Sequence, residues 1–387
     1  MLPHSSFRAS GDGSGDNTAQ AVAIDGDIAV IGAPYDDDFG SKSGSAYIFR
    51  FDGVNWNQEA KLLPSDGAAN DYFGDAVAIS GDVVVIGAAH ESGFSSPAGA
   101  AYVFRYDGVS WVEETKLIAS DGEDDDQFGS AVAIEGNTVV IGAQNDDAGN
   151  GNPGDQFGSA YIYNFDGTSW SQGPKLIGPT FTGFMEGRSE FGAAVSISGN
   201  RIAVGHYGDD TTWTNSGAVY IFGTDGQMQA FIKASDTTAF YQFGSSVALA
   251  GDTLVVGAEV DNFQGAAYLY EFDGASWVEG TKMVSADIEN GDVFGNAIAI
   301  SGDLLLIGAR ADDDEGGNAG AFYVFDQGCN AVCPGDLTGE GTLDFFDISA
   351  FLSAFGANDL IADFTNDGIW DFFDVSAFLQ AFAAGCP

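Results

Sequence analysis

Two acidic loops near the C-terminal end carry the residues best suited to chemistry. Segments 336–347 and 363–374 start 27 positions apart, and each ends in Asp-Phe-Phe-Asp. Each has oxygen-bearing side chains at positions 1, 3, 5, 9 and 12, glycine at position 6 and an available carbonyl at position 7. This spacing brings alternate ligands onto one calcium ion, and the glycine permits the sharp turn. The two predicted ligand sets are Asp336, Thr338, Glu340, Thr342, Asp344 and Asp347, and Asp363, Thr365, Asp367, Ile369, Asp371 and Asp374.

The chain is strongly acidic, with 12 basic against 57 acidic residues and a formal net charge of −45 over 387 residues. A surface of this sign repels phosphate groups, so nucleic acid and anionic membranes are excluded as partners bound through a basic patch. The charge suits divalent cations, a saline medium or a cationic partner, and it also serves solubility alone. No apolar run approaches the roughly 18–20 residues that span a bilayer, so no transmembrane segment is predicted.

All three cysteines, Cys329, Cys333 and Cys386, lie in the C-terminal part of the chain. Cys333 and Cys386 bracket the twin loops, and a disulfide between them would tie the ends of this segment together. Such a bridge indicates an oxidising compartment, so we expect a secreted or cell-surface protein. The N-terminus, Met-Leu-Pro-His-Ser-Ser-Phe-Arg, lacks the apolar stretch of a secretory signal, and we therefore expect it to be truncated.

Ahead of the twin loops, one pattern recurs six times. Each copy holds four short strand-like runs, named a to d in chain order, separated by turns such as Ser80-Gly81-Asp82 and Asp52-Gly53. A period near fifty with four strands per copy predicts an all-β propeller of six four-stranded blades, or seven if the N-terminus is truncated. The sixth copy stops after strand c, and segment 6–10 is predicted to supply its strand d. The Phe-Gly pair that opens each copy stands at Phe73, Phe128, Phe191, Phe243 and Phe294, with Thr18-Ala19 in its place in the first.

The repeated residues resemble a known family. Phe-Gly-x-Ala-Val-Ala-Ile, Val-Ile-Gly-Ala and Gly-(Ser/Ala)-Ala-Tyr are similar to the FG-GAP repeat of integrin-α-type propellers, over residues 5–326. The resemblance implies a propeller used for binding or adhesion. Integrin-type repeats carry an Asp-x-Asp-x-Asp-Gly calcium loop between strands a and b, where this chain has only a short Ser-Gly-Asp turn. The calcium sites of that family's blades are therefore not expected here.

The acidic residues are concentrated on one side of the predicted propeller. Strand order puts the b–c and d–a loops on the same side, and most loop carboxylates fall there, including Asp36–Asp38, Glu123–Asp126 and Asp312–Glu315. One hypothesis is that this side binds cations, either calcium ions or a cationic patch of a partner. The alternative is that aspartate suits turns and solubilises loops.

No residue pattern identifies a catalytic site. The chain lacks a metalloprotease helix motif, a phosphate-binding Gly-Lys-Ser/Thr loop and a Gly-x-Ser-x-Gly turn. The histidines His4, His90 and His206 lie in loops that are not equivalent. His206 stands where the other copies have alanine, so with Tyr207, Asp209 and Trp213 it is a candidate for lining a ligand pocket. Carboxylate pairs are too abundant for a glycosidase-like pair to be singled out, and an enzyme is not favoured.

Segment 333–387 resembles a type I dockerin, a domain of two calcium loops each followed by a helix. The resemblance implies a small all-α domain, two Ca²⁺ ions and a cohesin-like or other docking domain as partner. Thr338 and Thr365 replace the usual Asn or Asp at position 3, and Glu340 replaces Asp at position 5, changes expected to weaken affinity. The basic helix residues of many dockerins are absent, which argues against a standard cellulosomal cohesin. The predicted organisation is propeller 5–326, linker 327–332 and dockerin-like domain 333–387.

Loop positions 10 and 11 contact the partner in dockerins, and here both pairs are phenylalanine. Spacings of three and four predict a core face formed by Ile348, Phe351 and Phe355, with Val375, Phe378 and Phe382 in the second helix. The alternative is that so small a domain uses the phenylalanine pairs in its own core. The predicted partner-binding set lies outside the core face and comprises Phe345, Phe346, Leu352, Phe372, Phe373 and Leu379.

These features predict an extracellular calcium-binding protein. Its propeller is expected to be non-enzymatic and to bind a protein or a carbohydrate, with a polysaccharide or a cell-surface component among the expected partners. Its C-terminal domain would anchor or assemble it. Two alternatives stay open: a polysaccharide-degrading enzyme delivered by the dockerin-like domain, and an integrin-like calcium-dependent adhesion protein.

Overall fold

The computed structural model of the chain divides into two compact units, residues 1–300 with 306–323 and residues 301–305 with 324–387. Segment 6–10, the predicted linker 327–332 and all three cysteines lie outside the described residues. The structure describes residues 20–91, 98–147, 157–178, 190–210, 212–285, 287–313, 320–326, 337, 345–357, 362, 364, 369 and 372–384.

Six antiparallel sheets follow one another along the chain, one for each predicted blade. In every sheet the neighbouring strands are consecutive in sequence, so each blade is a meander. The first three blades are β1 (Val22–Asp25), β2 (Ile28–Ala33), β3 (Ser45–Phe51) and β4 (Trp56–Leu62); β5 (Val77–Ser80), β6 (Val83–Ala88), β7 (Ala100–Tyr106) and β8 (Trp111–Leu117); and β9 (Phe128–Glu135), β10 (Thr138–Ala143), β11 (Ser159–Phe165) and β12 (Trp170–Leu176).

The remaining three blades confirm the predicted six-bladed β-propeller. The sixth has three strands among the described residues, because its predicted strand d falls on segment 6–10. These blades are β13 (Phe191–Ser198), β14 (Arg201–His206), β15 (Ala218–Gly223) and β16 (Met228–Ile232); β17 (Phe243–Ala250), β18 (Thr253–Ala258), β19 (Ala266–Phe272) and β20 (Trp277–Met283); and β21 (Phe294–Ser301), β22 (Leu304–Ala309) and β23 (Ala321–Asp326).

The core of the propeller lies between blades, because side chains alternate between the two sides of each sheet. Val84 and Ile86 pack with Ile28 of the first blade, whereas Val83, one position away, packs with Val139 of the third. The recurring tryptophans take part in this packing: Trp111 is buried, and its Nε1 donates a hydrogen bond to a neighbouring blade. Blades 2, 3 and 4 therefore bury apolar side chains against both of their neighbours.

Glycine is required where consecutive blades meet. A Cβ on Gly32 would lie 1.9 Å from the carbonyl oxygen of Gly74 in the next blade. Gly87 and Gly142 meet the following blade in the same way, at 2.0 Å in both cases. Only a residue without a side chain lets two backbones approach this closely. In the first three blades the Gly of the Ile-Gly-Ala motif and the Gly of the Phe-Gly motif that it faces thus set the contact between blades.

The C-terminal unit contains two helices, α1 (Phe345–Ala357) and α2 (Phe372–Ala384). Phe351 of α1 and Phe378 of α2 are both buried and stack with ring centroids 4.1 Å apart and planes 3° from parallel. Ile348, Phe355, Val375 and Phe382 pack around them, as the spacing in the sequence predicts. Neither described helix has the length and apolar character needed to cross a membrane.

Candidate functional site

The b–c and d–a loops form one surface, called here the loop face, because backbone hydrogen bonds join the b–c loops of blades 1, 4 and 5 to the d–a loops that follow them. Asn70 N donates to Ser41 O at 2.9 Å, and Phe73 N donates to Ser43 O at 3.1 Å. Its described residues are the b–c loops 34–44, 89–91, 98–99, 144–147, 157–158, 207–210, 212–217, 259–265, 310–313 and 320, and the d–a loops 63–76, 118–127, 177–178, 190, 233–242, 284–285 and 287–293.

A network of tyrosine, lysine and two carboxylates supports the loop face in the third blade. Lys175 Nζ lies 2.8 Å from Asp121 Oδ2 in the d–a loop and 2.8 Å from Asp146 Oδ2 in the b–c loop. The hydroxyl of Tyr161 lies 2.5 Å from Asp146 Oδ2 and 3.0 Å from Asp121 Oδ1. Ser159 adds a hydrogen bond of 2.7 Å to the buried Asp146. One ammonium group thereby ties together two loops from different blades.

Equivalent networks lie in the other blades, with variations. In blades 2 and 5 a lysine again bridges two carboxylates beneath a tyrosine. In blade 1 a lysine pairs with two b–c loop carboxylates, and in blade 4 with one. In blade 6 the tyrosine donates a hydrogen bond to such a carboxylate. The members are Tyr47, Asp36, Asp38 and Lys61; Tyr102, Asp66, Glu91 and Lys116; Tyr220, Asp209 and Lys233; Tyr268, Asp236, Asp261 and Lys282; and Tyr323 and Asp312.

The surroundings of Asp36 and Tyr161 each favour one protonation state near neutral pH. Burial alone would raise the pKa of Asp36, but hydrogen bonds from Lys61, Ser45 and Tyr47 outweigh it and hold the pKa below its usual value. Burial and the adjacent carboxylate raise the pKa of Tyr161 far above its usual range. Asp36 therefore remains a charged acceptor and Tyr161 remains a donor. The networks are therefore suited to holding loops in place and not to transferring protons.

A second set of loop aspartates caps the d–a turns. The Oδ2 atoms of Asp71, Asp126 and Asp292 each accept a backbone N–H three residues earlier at 2.6 Å. All three side chains are buried. Burial, reinforced by the charge of Asp146, raises the pKa of Asp126 to about 7 although the hydrogen bond from the Glu123 backbone opposes the shift. Many of the carboxylates that the sequence places on the loop face therefore accept hydrogen bonds from within the loops themselves.

His206 ends β14 and is only 5% exposed. Its ring contacts Phe191 and Tyr220, with centroids 5.7 and 5.9 Å away, and its Nδ1 lies 3.5 Å from Asp209 Oδ2. Neither ring nitrogen has a hydrogen-bond partner among the residues that the structure describes. Burial lowers the pKa of His206 to about 4, partly opposed by the charge of Asp209. The imidazole is therefore neutral and packed inside the fourth blade, whereas Trp213 is exposed.

The predicted calcium ligands are described only in part. Asp347 and Asp374, at position 12 of each loop, are both fully buried in the first turn of their helices. Ile369, expected to offer its carbonyl, has an exposed side chain. The other ligands lie outside the described residues: Asp336, Thr338, Glu340, Thr342, Asp344, Asp363, Thr365, Asp367 and Asp371. Within the described part of the chain, no group of three or more His, Cys, Asp or Glu side chains could hold a metal ion.

The predicted partner-binding residues are likewise described only in part. Leu352 is 60% exposed and Leu379 is 51% exposed, on the side of each helix away from the stacked phenylalanines. The backbones of Phe345, Phe346, Phe372 and Phe373 begin the two helices, and their side chains lie outside the description. The roles of all six residues stay predictions.

Sequence reasoning missed two features of the loop face. The tyrosine of strand c and the lysine of strand d were both visible in the repeats, but only the fold brings them onto one aspartate. It also missed that the loops of blades 4 and 5 expose aromatic side chains. The sequence does contain this difference, because Phe240 and Tyr241 stand where the d–a loop before blade 2 has Asn70 and Asp71.

Six meander blades joined by close glycine contacts define a β-propeller repeat protein. The sequence pattern of the FG-GAP repeat matches residues 5–49, 56–104, 111–163, 186–222, 227–270 and 277–325, so the chain belongs to the FG-GAP repeat family. The C-terminal helices lie outside all six matches. A comparison with curated proteins finds no match.

Proposed function

We propose that this protein is an exported attachment protein whose FG-GAP propeller binds a ligand on its loop face. In this proposal a calcium-dependent, dockerin-like domain formed by residues 333–387 anchors it to a docking domain or a cell-surface component. The propeller acts without catalysis. The protein is secreted or displayed at a cell surface.

The observation that carries the binding role is the repeated network beneath the loop face. Lys116, Lys175 and Lys282 each fix a b–c loop to the d–a loop that precedes its blade. A rigid scaffold that presents many loops side by side is a common basis for binding sites. The lowered pKa values of Asp36, Asp121 and Asp236 and the raised pKa values of the network tyrosines favour fixed protonation states, which supports binding over acid–base chemistry.

The attachment role is supported by the equivalence of the two helices. Asp347 and Asp374 are buried at matching positions, and Phe351 and Phe378 meet face to face between α1 and α2. Leu352 and Leu379 are exposed at matching positions on the outside. Two equivalent exposed leucines offer a partner the same apolar contact in two orientations.

The described residues fit calcium where they can be compared with the predicted loops. Asp347 and Asp374 are buried, as a position-12 carboxylate that binds an ion is expected to be, and Ile369, whose carbonyl is the predicted ligand, has an exposed side chain. A calcium ion would supply the positive charge around which each loop orders, and the ligand residues would hold it through oxygen atoms alone. Metal binding of this kind contributes directly to folding in small domains.

Titration calorimetry of the full chain with calcium tests this proposal. We expect two ions per chain, with one lost in Asp347→Asn and one in Asp374→Asn. The control is Asp313→Asn, which changes an exposed carboxylate of the loop face and should leave both ions in place. Absence of calcium uptake by the full chain, or equal loss in all three variants, would contradict the calcium-dependent attachment.

A further inference from the structure

The loop face carries exposed aromatic side chains in blades 4 and 5. Trp213 is 56% exposed, Phe240 57% and Phe263 76%, and Tyr241 is half-buried beside them. These four residues are called here the aromatic patch. Large aromatic side chains exposed together are uncommon on a surface that only has to remain soluble.

The four residues belong to one continuous region. Phe240 N donates a hydrogen bond of 2.8 Å to Thr214 O, which places Phe240 beside the loop of Trp213. The hydroxyl of Tyr241 lies 3.4 Å from Asn262 Oδ1, which joins it to the loop of Phe263. The patch therefore runs from the b–c loop of blade 4, through the next d–a loop, to the b–c loop of blade 5.

Two aromatic residues of the patch stand at positions where the backbone conformation disfavours them. Phe240 occupies the left-handed region with φ +68°, where the equivalent Asn70 has φ +69° and Asp125 has φ +71°. Asparagine and aspartate tolerate this conformation, whereas a phenylalanine there is strained. Phe263 is also left-handed, with φ +66°. Strained residues that a fold does not need are characteristic of binding sites.

Tyr241 replaces a residue with a structural task. In three other d–a loops this position is an aspartate, Asp71, Asp126 or Asp292, whose carboxylate accepts a backbone N–H at 2.6 Å. Tyrosine cannot supply that carboxylate. At positions 240 and 241, residues that suit the loop conformation are thus replaced by aromatic residues that do not suit it. A contribution to ligand binding explains an exchange that the fold does not.

The charge around the patch selects the kind of ligand. Lys282 Nζ lies 2.7 Å from Asp236 and 2.6 Å from Asp261, so one ammonium group is shared by the two carboxylates beneath the patch and offsets one of their two charges. The side chains between the aromatic rings are neutral amides and hydroxyls, among them Asn262 and Gln264. Asn262 and Gln264 therefore present uncharged polar groups beside the rings, although the patch lies within an acidic face.

The acidic side chains resume at one margin of the patch, with the exposed Asp287 and Glu289. An anionic ligand is therefore repelled, and a cationic ligand finds more carboxylates on other blades. The complementary ligand is uncharged and rich in hydroxyl groups, which the amides and the marginal carboxylates can bind.

We propose that the aromatic patch binds a neutral polysaccharide. The apolar C–H faces of sugar rings would lie on Trp213, Phe240 and Phe263, while Asn262, Gln264 and the marginal carboxylates bind the hydroxyl groups. The inference rests on the proposed function and names the ligand class of the loop face. The extended course of the patch across two blades suits a chain of several sugar rings.

Affinity electrophoresis of the full chain tests the inference. Native gels contain mixed-linkage β-glucan, xylan, galactomannan or soluble starch, and at least one is expected to retard the protein. Trp213→Ala combined with Phe263→Ala should weaken this binding at least tenfold. The matched control is Phe39→Ala, which removes an exposed aromatic side chain from the loop face of blade 1. It should be retarded like the unaltered protein.

Phe240→Asn should change stability and polysaccharide binding in opposite directions. It restores the residue of the equivalent loop, so it should raise the denaturation midpoint while weakening polysaccharide binding. Migration unaffected by all four polysaccharides would overturn the inference, as would retardation unchanged in the patch variants. Retardation by polylysine alone would also overturn it, but would leave a binding role for the acidic loops. Calcium uptake is read separately, so failure of the patch and failure of the calcium-dependent attachment are distinguishable.

Discussion

Lys175 Nζ lies 2.8 Å from Asp146 Oδ2, and this ion pair links strand d of the third blade to the buried carboxylate of its b–c loop. The same ammonium group reaches Asp121 in the d–a loop that precedes the blade. A single side chain therefore holds loops that are contributed by two segments of the repeat.

Lys175→Met should lower the free energy of unfolding by about 3 kcal/mol, because it leaves Asp146 buried without its cationic partner. Urea denaturation at neutral pH measures the change. The control is Arg310→Gln, which removes an exposed ion pair with Glu259 at 3.6 Å and should cost less than about 1 kcal/mol. Equal changes in the two variants would show that the network does not support the fold.

Gly142→Ala should prevent the third and fourth blades from meeting. The added Cβ would lie 2.0 Å from the carbonyl oxygen of Gly192, and backbone on both sides leaves no room for adjustment. We expect a loss of more than about 4 kcal/mol, or no folded protein. Gly53→Ala is the control, since its Cβ meets nothing within 4 Å although its φ of +93° is strained. The denaturation midpoints of both variants are measured by heating. Similar midpoints would contradict the close contact between Gly142 and Gly192.

His206 should make stability depend on pH. Its pKa is about 4 in the folded protein, below the ordinary value of 6.5, so the unfolded chain binds the proton more readily. The stability that the neutral imidazole provides is complete above about pH 6.5 and is lost as pH falls towards 4, by roughly 3 kcal/mol. His206→Ala, which introduces the residue of the other repeats, removes this dependence. A difference between the two proteins that stays constant over this pH range would refute the assignment.

Phe351→Ala should destabilise the helical unit by about 3–5 kcal/mol, because it removes the buried ring that stacks on Phe378. The helical signal in far-ultraviolet circular dichroism should be lost at a lower temperature. Leu352→Ala, one residue away and exposed, is the matched control and should change stability by less than about 0.5 kcal/mol. If the two substitutions act alike, the stacked pair is not the core of this unit.

The repeats made the propeller predictable from the sequence. The Phe-Gly pair, the Ile-Gly-Ala run and the Asp-Gly turns recur at nearly constant spacing, and each has a local cause that needs no knowledge of distant contacts. The core face of the helices was equally readable, since Phe351 and Phe378 follow from spacings of three and four. Local periodicity therefore accounted for both units.

The supporting networks could not be derived in this way. Asp121, Asp146 and Lys175 are separated by 25 and 29 residues, and each looks like an ordinary surface charge in the sequence. Their proximity depends on the register between blades, which the pattern of one repeat does not contain. The abundance of aspartate had the opposite effect, because it drew attention to cations when many of these carboxylates bind lysine, tyrosine or backbone N–H groups.

Retention of the full chain on the surface fraction of the cells that produce it tests the proposed attachment most directly. Co-sedimentation is measured in calcium and in EDTA, for the unaltered protein and for the double variant Leu352→Ser with Leu379→Ser. Val109→Ser, at an exposed turn of the second blade, is the control. We predict retention in calcium, release by EDTA, and loss of retention in the leucine variant alone. Retention that is the same in calcium and EDTA would contradict a calcium-dependent attachment protein.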